Sequence, residues 1–171
     1  SKGGKIISYR YDDKEILSQT KIPNSFGSTF WTSPQSEWNW PPVPEYDTKP
    51  FNAEVAGDKL ILTGEKSKRF GYRVRKELTT DKKDNAIVIT YTIINESGET
   101  RKVAPWEISR VPNGGILFFD AKEVTPANNM ETMPFVYEKK AAWYTLDESR
   151  KNRKINADGK GWLAFCEEPG I

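Results

Sequence analysis

The segment AIVITYTIIN, Ala86 to Asn95, leaves a chain little choice of conformation. Its β-branched residues are stiff at χ1 and suit a pleated strand better than a helix. Both faces are apolar or β-branched, which reads as a central strand covered on both sides. The preceding stretch, RFGYRVRKEL from Arg69 to Leu78, alternates with period two. It sets Phe70, Tyr72, Val74 and Leu78 on one face and Arg69, Arg73, Arg75 and Glu77 on the other. The turn residues DKKDN separate the two runs, so they read as a long hairpin.

The same grammar extends along the chain. KIISYRY, the turn Asp12-Asp13-Lys14 and KEIL read as an opening hairpin. FNAEV, with Phe51, Ala53 and Val55 on one face, turns through AGD into KLILTG. ESGET turns into RKVAPWEISRV, where Pro105 suggests a bulge or an irregular edge. ILFF, AAWYTL and GWLAFC are later strand candidates. EVTPANNMETMPF holds two prolines and reads as loop with at most a helical turn. The expected fold class is all-β, an antiparallel β-sandwich with less than about 10% helix. Residues 1–171 read as one domain. A strand candidate so close to the last residue raises the expectation that the sandwich is incomplete at its C-terminal end.

Composition narrows the chemistry. The net charge of +2, with acids and bases mixed, gives no electrostatic footprint for nucleic acid or for an anionic membrane. The basic run ESRKNRK, residues 148–154, reads as a solvated loop. No run of about 18 apolar residues is present, so no membrane-inserted helix is expected. The chain has one cysteine and no histidine. That excludes an intrachain disulfide, histidine-based triads and a structural zinc or iron–sulfur site, and no cofactor is expected. Cys166, inside an apolar strand candidate, is expected to be buried.

Several segments together resemble a family. GGKIISYRYDDKEIL, Gly3 to Leu17, resembles the opening hairpin of galactose-mutarotase-like domains. AIVITYTIINESGETRKVAPWEISRV, Ala86 to Val111, resembles their central pair of strands. With FGSTFWTSPQSEWNWPP, the chain looks most like a bacterial branch of that superfamily, over roughly Gly3 to Phe119. The resemblance implies a mutarotase-like supersandwich, in a domain usually of roughly 250 to 300 residues. It also implies export to the periplasm or outside the cell. Aldose mutarotases use a histidine acid and a carboxylate base. Here the strand that would carry the histidine brings Trp106, Glu107 and Arg110, so histidine-dependent epimerisation is expected to be absent. Glu107 is the leading candidate for any acid–base role, with Glu37 as the alternative within these residues.

The segment FWTSPQSEWNWPP, Phe30 to Pro42, holds three of the six tryptophans. Its rings either cap one end of the sandwich or line a sugar cleft, where the C–H face of a pyranose stacks on indole. The candidate ligand residues are Trp31, Trp38, Trp40 and Trp106, with Gln35, Glu37 and Asn39 as polar rim and Arg73, Arg75, Glu107 and Arg110 from the strands. Glu107 and Arg110 are three apart and should face opposite ways unless a bulge intervenes. Three functions stay open. The first is a carbohydrate-binding domain taking a mono- or oligosaccharide. The second is a carbohydrate-active enzyme (lyase, hydrolase or divergent epimerase) using carboxylate, tyrosine and arginine. The third is a structural or interaction module whose aromatics are all core, which requires no exposed tryptophan between Phe30 and Pro42.

Overall fold

The computed structural model describes residues 2–20, 26–121, 124–126, 134–146, 155–159 and 161–166. The chain divides into two compact units, 1–110 and 111–171, where the sequence suggested one. Both are antiparallel β structures, and the described residues form no closed barrel. Among the described residues, helix is confined to a 3-10 turn at Gln35–Glu37 and a single α-turn, α1, at Pro44–Asp47. No helix among the described residues is long and apolar enough to cross a membrane.

The first unit opens with a short hairpin, β1 (Arg10–Tyr11) and β2 (Lys14–Glu15), much shorter than KIISYRY and KEIL suggested. Next come β3 (Ser28–Ser33), β4 (Asn52–Ala56), β5 (Lys59–Thr63), β6 (Tyr72–Asp81), β7 (Ala86–Asn95) and β8 (Ala104–Ser109). One sheet has the order β4-β5-β6-β7, and β3 pairs with β8 in a separate ribbon. The Asp81 carboxylate accepts from the backbone N–H groups of Lys83 and Asp84 at 2.8 and 3.2 Å, which closes the β6–β7 turn.

The ribbon packs on the four-stranded sheet, and Phe30 stacks on Tyr91 with ring centroids 4.6 Å apart. Phe30, Tyr72 and Val74 are almost fully buried, at 0–1% exposure, and anchor a core that also takes in Trp31, Trp38, Tyr46, Phe51 and Phe70. Two glycines allow the N-terminal segment to reach this core. A Cβ on Gly3 would lie 2.1 Å from the Asp47 carbonyl oxygen, and one on Gly27 would lie 2.2 Å from that of Ile6. Both have positive φ, so only glycine fits without strain.

Two expectations are corrected here. β7 forms as a ten-residue strand, but it is the last strand of its sheet and pairs only with β6 among the described residues. Its exposed Ile87 and Val88 show why the sequence misled: an apolar, β-branched run fits an edge as well as a centre. The chain after it does not fold back onto β7. It crosses to β3, so part of the tryptophan-rich segment is a strand and not a connection.

The second unit contains β9 (Ile116–Phe119), β10 (Thr125–Pro126), β11 (Val136–Glu138), β12 (Ala141–Thr145), β13 (Ile155–Asn156) and β14 (Leu163–Cys166). The strands ILFF, AAWYTL and GWLAFC are thus present, in a sheet ordered β11-β12-β9-β14. Phe119, Ala121 and Ala142 form its small core, and Phe118 stacks on Trp143 at 4.4 Å. Cys166 is exposed, contrary to expectation, because its edge strand β14 turns it out of that core. The basic run 148–154 and residues 127–133 of the proline-containing loop lie outside the described residues.

Candidate functional site

The ladder between β3 and β8 pairs Trp31 with Trp106 and Phe30 with Glu107. Cross-strand partners share a face and neighbours alternate, so the ribbon has two chemically different sides. One carries Trp31 and Trp106. The other carries Phe30, Glu107, Ser28 and Ser109. Arg110 falls on the tryptophan side, where its guanidinium donates to the Thr29 hydroxyl at 3.3 Å. Glu107 and Arg110 therefore face opposite ways, as their spacing suggested. Burial lowers the pKa of the Arg110 guanidinium, and the charges of Asp47 and Glu107 work against that shift.

On the tryptophan side, Trp31 is the hub. It meets Trp106, Trp38 and Trp40 edge-on, with centroids at 5.5, 5.8 and 5.9 Å. The exposures separate these rings. Trp31 and Trp38 are 7% and 4% exposed, whereas Trp40 is 66% exposed. Trp106 is half-buried. The buried indoles are also satisfied internally: Trp31 donates to the Asp47 carboxylate at 3.0 Å, and Trp38 to the Thr32 carbonyl at 2.9 Å. Asp47 in turn pairs with Lys5 at 3.2 Å. Neither Trp31 nor Trp38 has a ring face left for a ligand, which corrects their assignment to a stacking surface.

Trp40 is held out by a braced loop. The Gln35 carbonyl accepts from the N–H groups of Trp38 and Asn39 at 3.1 and 2.7 Å. Arg69 donates to the backbone carbonyls of Trp38, at 3.3 Å, and of Glu37. Prolines at 34, 41, 42 and 44 fix φ along the same loop. Gln35 and Asn39 are exposed and Glu37 half-buried, so rim groups flank the indole. The arginines predicted from the polar face of β6 are engaged elsewhere. Arg73 pairs with Glu96 at 3.0 Å and Arg75 with Glu77 at 3.1 Å.

On the other side of the ribbon, Glu107 opens into a cleft of about 480 Å³. The cleft is walled by aliphatic side chains such as Leu17, Leu78 and Ile89, with Tyr9 and Tyr91 among its rings. The Ser28 and Ser109 hydroxyls donate to one oxygen of Glu107, the latter at 2.9 Å. Burial raises the pKa of the Tyr91 phenol; a hydrogen bond with Ser28 opposes the shift and the Glu107 charge adds to it. Glu107 is thus the one predicted site residue that meets a tyrosine in a cleft.

Sequence reasoning missed Lys76. It occupies the inward row of β6 between Val74 and Leu78 and is 2% exposed. Its ammonium donates to the Gly3 and Gly4 carbonyls at 3.1 and 2.8 Å and lies 5.8 Å from the centre of the Tyr91 ring. Burial lowers its pKa to about 8. The available signal was a charged residue at a core position of an alternating strand. Against this geometry, no protein-family model, curated protein or solved structure matches the chain.

Proposed function

We propose that the first unit is a carbohydrate-binding module in which Trp40 is the stacking platform. The observation that carries this reading is the exposure of Trp40 at 66% on a loop whose neighbouring indoles are buried. An exposed indole costs hydration and is usually withdrawn, yet here the loop is braced to hold it outward. A rigid ring loses little entropy when a sugar C–H face settles on it. Gln35, Glu37 and Asn39 supply donors and acceptors for the hydroxyls. The reading as a structural or interaction module whose aromatics are all core requires no exposed tryptophan in this segment, and Trp40 is exposed.

Calorimetry against an oligosaccharide panel tests the proposal. Trp40→Ala is expected to weaken binding by on the order of 1 to 3 kcal/mol while leaving the melting temperature within a degree or two. Unchanged affinity in the variant would remove Trp40 from the site. Failure of the wild-type chain to bind any sugar would remove the function.

The meeting of Glu107 and Tyr91 favours a second reading, a carbohydrate-active enzyme. Hydrolysis by paired carboxylates needs a second acid roughly 5 to 9.5 Å away, and among the described residues Glu107 is the only carboxylate lining the cleft. Lyase or epimerase chemistry fits better, with Glu107 as base and the protonated Tyr91 phenol as acid. Glu107→Gln is then expected to lower turnover about 10²-fold or more without loss of fold. An activity that survives the substitution would exclude this reading.

A further inference from the structure

We propose that the glycan bound at Trp40 is acidic, its carboxylates or sulfates taken up by a cationic hollow beside the platform. The inference rests on the Trp40 reading and specifies its ligand class. The hollow, about 500 Å³, is lined by Lys66, Lys68, Arg69 and Arg101 together with Ser67 and Ser97, and by no carboxylate among the described residues. Arg69 connects the two features. It lines the hollow and also donates to the carbonyls of Glu37 and Trp38, two residues from Trp40. Its guanidinium is steadied over the Phe70 ring at 5.0 Å.

The nearby acids neutralise this cluster only in part. Glu65 pairs with Lys49 at 3.1 Å, and Glu96 with Arg73 at 3.0 Å. Glu99 pairs with Arg101 at 2.9 Å. Lys66, Lys68 and Arg69 form no ion pair among the described residues, and Lys66 and Lys68 are exposed. Arg69, which lines the hollow, donates to the Glu37 backbone carbonyl, so Glu37 lies next to the same rim. Among the described residues four cations thus face three carboxylates, Glu37, Glu99 and Glu96, the last already held by Arg73 but also within the field of Lys66. The surplus positive charge needs an anion, and the neighbouring exposed indole selects an anion borne on a sugar ring over a bare phosphate. The chain's near-neutral total shows that this charge is local.

The test compares a galacturonic acid hexamer with its fully methyl-esterified, uncharged counterpart, by calorimetry at low and physiological ionic strength. A heparin-type sulfated hexamer and a single-stranded oligonucleotide are further arms. The acidic hexamers are expected to bind at least about tenfold more tightly than the ester, with the difference shrinking in salt. Lys66→Glu/Lys68→Glu should abolish that difference and leave the melting temperature unchanged, whereas Trp40→Ala should weaken acid and ester alike. Equal binding of acid and ester would overturn the acidic preference while leaving the Trp40 platform standing. Acid binding that survives Trp40→Ala but not the lysine variant would contradict the platform and, with it, the combined site. Tightest binding of the oligonucleotide would also overturn the proposal.

Discussion

Replacing Trp38 by alanine is expected to destabilise the first unit by about 3 to 5 kcal/mol, and Trp31→Ala by a similar amount. Each ring is under 8% exposed and packs against other tryptophans, so truncation opens a cavity that its rigid neighbours cannot fill. Each substitution also strands a buried acceptor. Trp38 leaves the Thr32 carbonyl, and Trp31 leaves Asp47 without its indole donor, with the Lys5 ion pair and the fields of Arg110 and Lys76 to offset the loss. Hydrogen exchange at the amides of β3 and β8 reads the loss in the right unit. Trp40→Ala, with its ring in solvent, should cost under about 1 kcal/mol. Equal effects at Trp38 and Trp40 would contradict the division of this cluster into core and platform.

The second large effect is a stability that rises with alkalinity. The folded-state pKa of Lys76, about 8, lies below the ordinary 10.5 because burial penalises its charge, with Lys5 adding to the effect and Glu107 and Asp47 opposing it. Below pH 8 both folded and unfolded chains hold the proton, and the burial cost is present in full. Between about 8 and 10.5 the folded chain gives up its proton while the unfolded chain keeps it, so stability climbs. The full shift corresponds to roughly 3 kcal/mol as an upper bound. Beyond about pH 10 the trend reverses. The phenols of Tyr46, Tyr72 and Tyr91 have raised pKa values through burial, so the unfolded chain ionises first. Hydrogen-exchange or urea measurements from pH 7 to 11 should show a maximum near pH 10. Lys76→Met should flatten the rise. A wild-type profile that falls steadily from pH 7.5 would contradict a buried ammonium at this position.

Much of the fold was legible because turn residues punctuate period-two runs. The β4–β5 and β6–β7 hairpins fall where AGD and DKKDN placed them. Partner choice was not legible. Nothing in AIVITYTIIN distinguishes an edge from a centre, and nothing in RKVAPWEISRV says that it will pair with STFWTS across a long loop. At the site, the juxtaposition of the tryptophan segment with Trp106 was legible as an expectation, and the structure pairs Trp31 with Trp106. Which indole faces solvent was not, because Trp38 and Trp40 have the same residue type and the same parity. Their separation comes from the 3-10 turn and from the grip of Arg69 on the loop carbonyls. The cationic hollow escaped notice for a related reason: KSKR is short, and Arg101 joins it only through folding.

The most direct measurement is the set of indole N–H resonances during titration with the galacturonic acid hexamer. The Trp40 signal is expected to move progressively with binding, while the internally bonded Trp31 and Trp38 signals stay fixed. Binding that leaves the Trp40 indole unmoved would contradict the account.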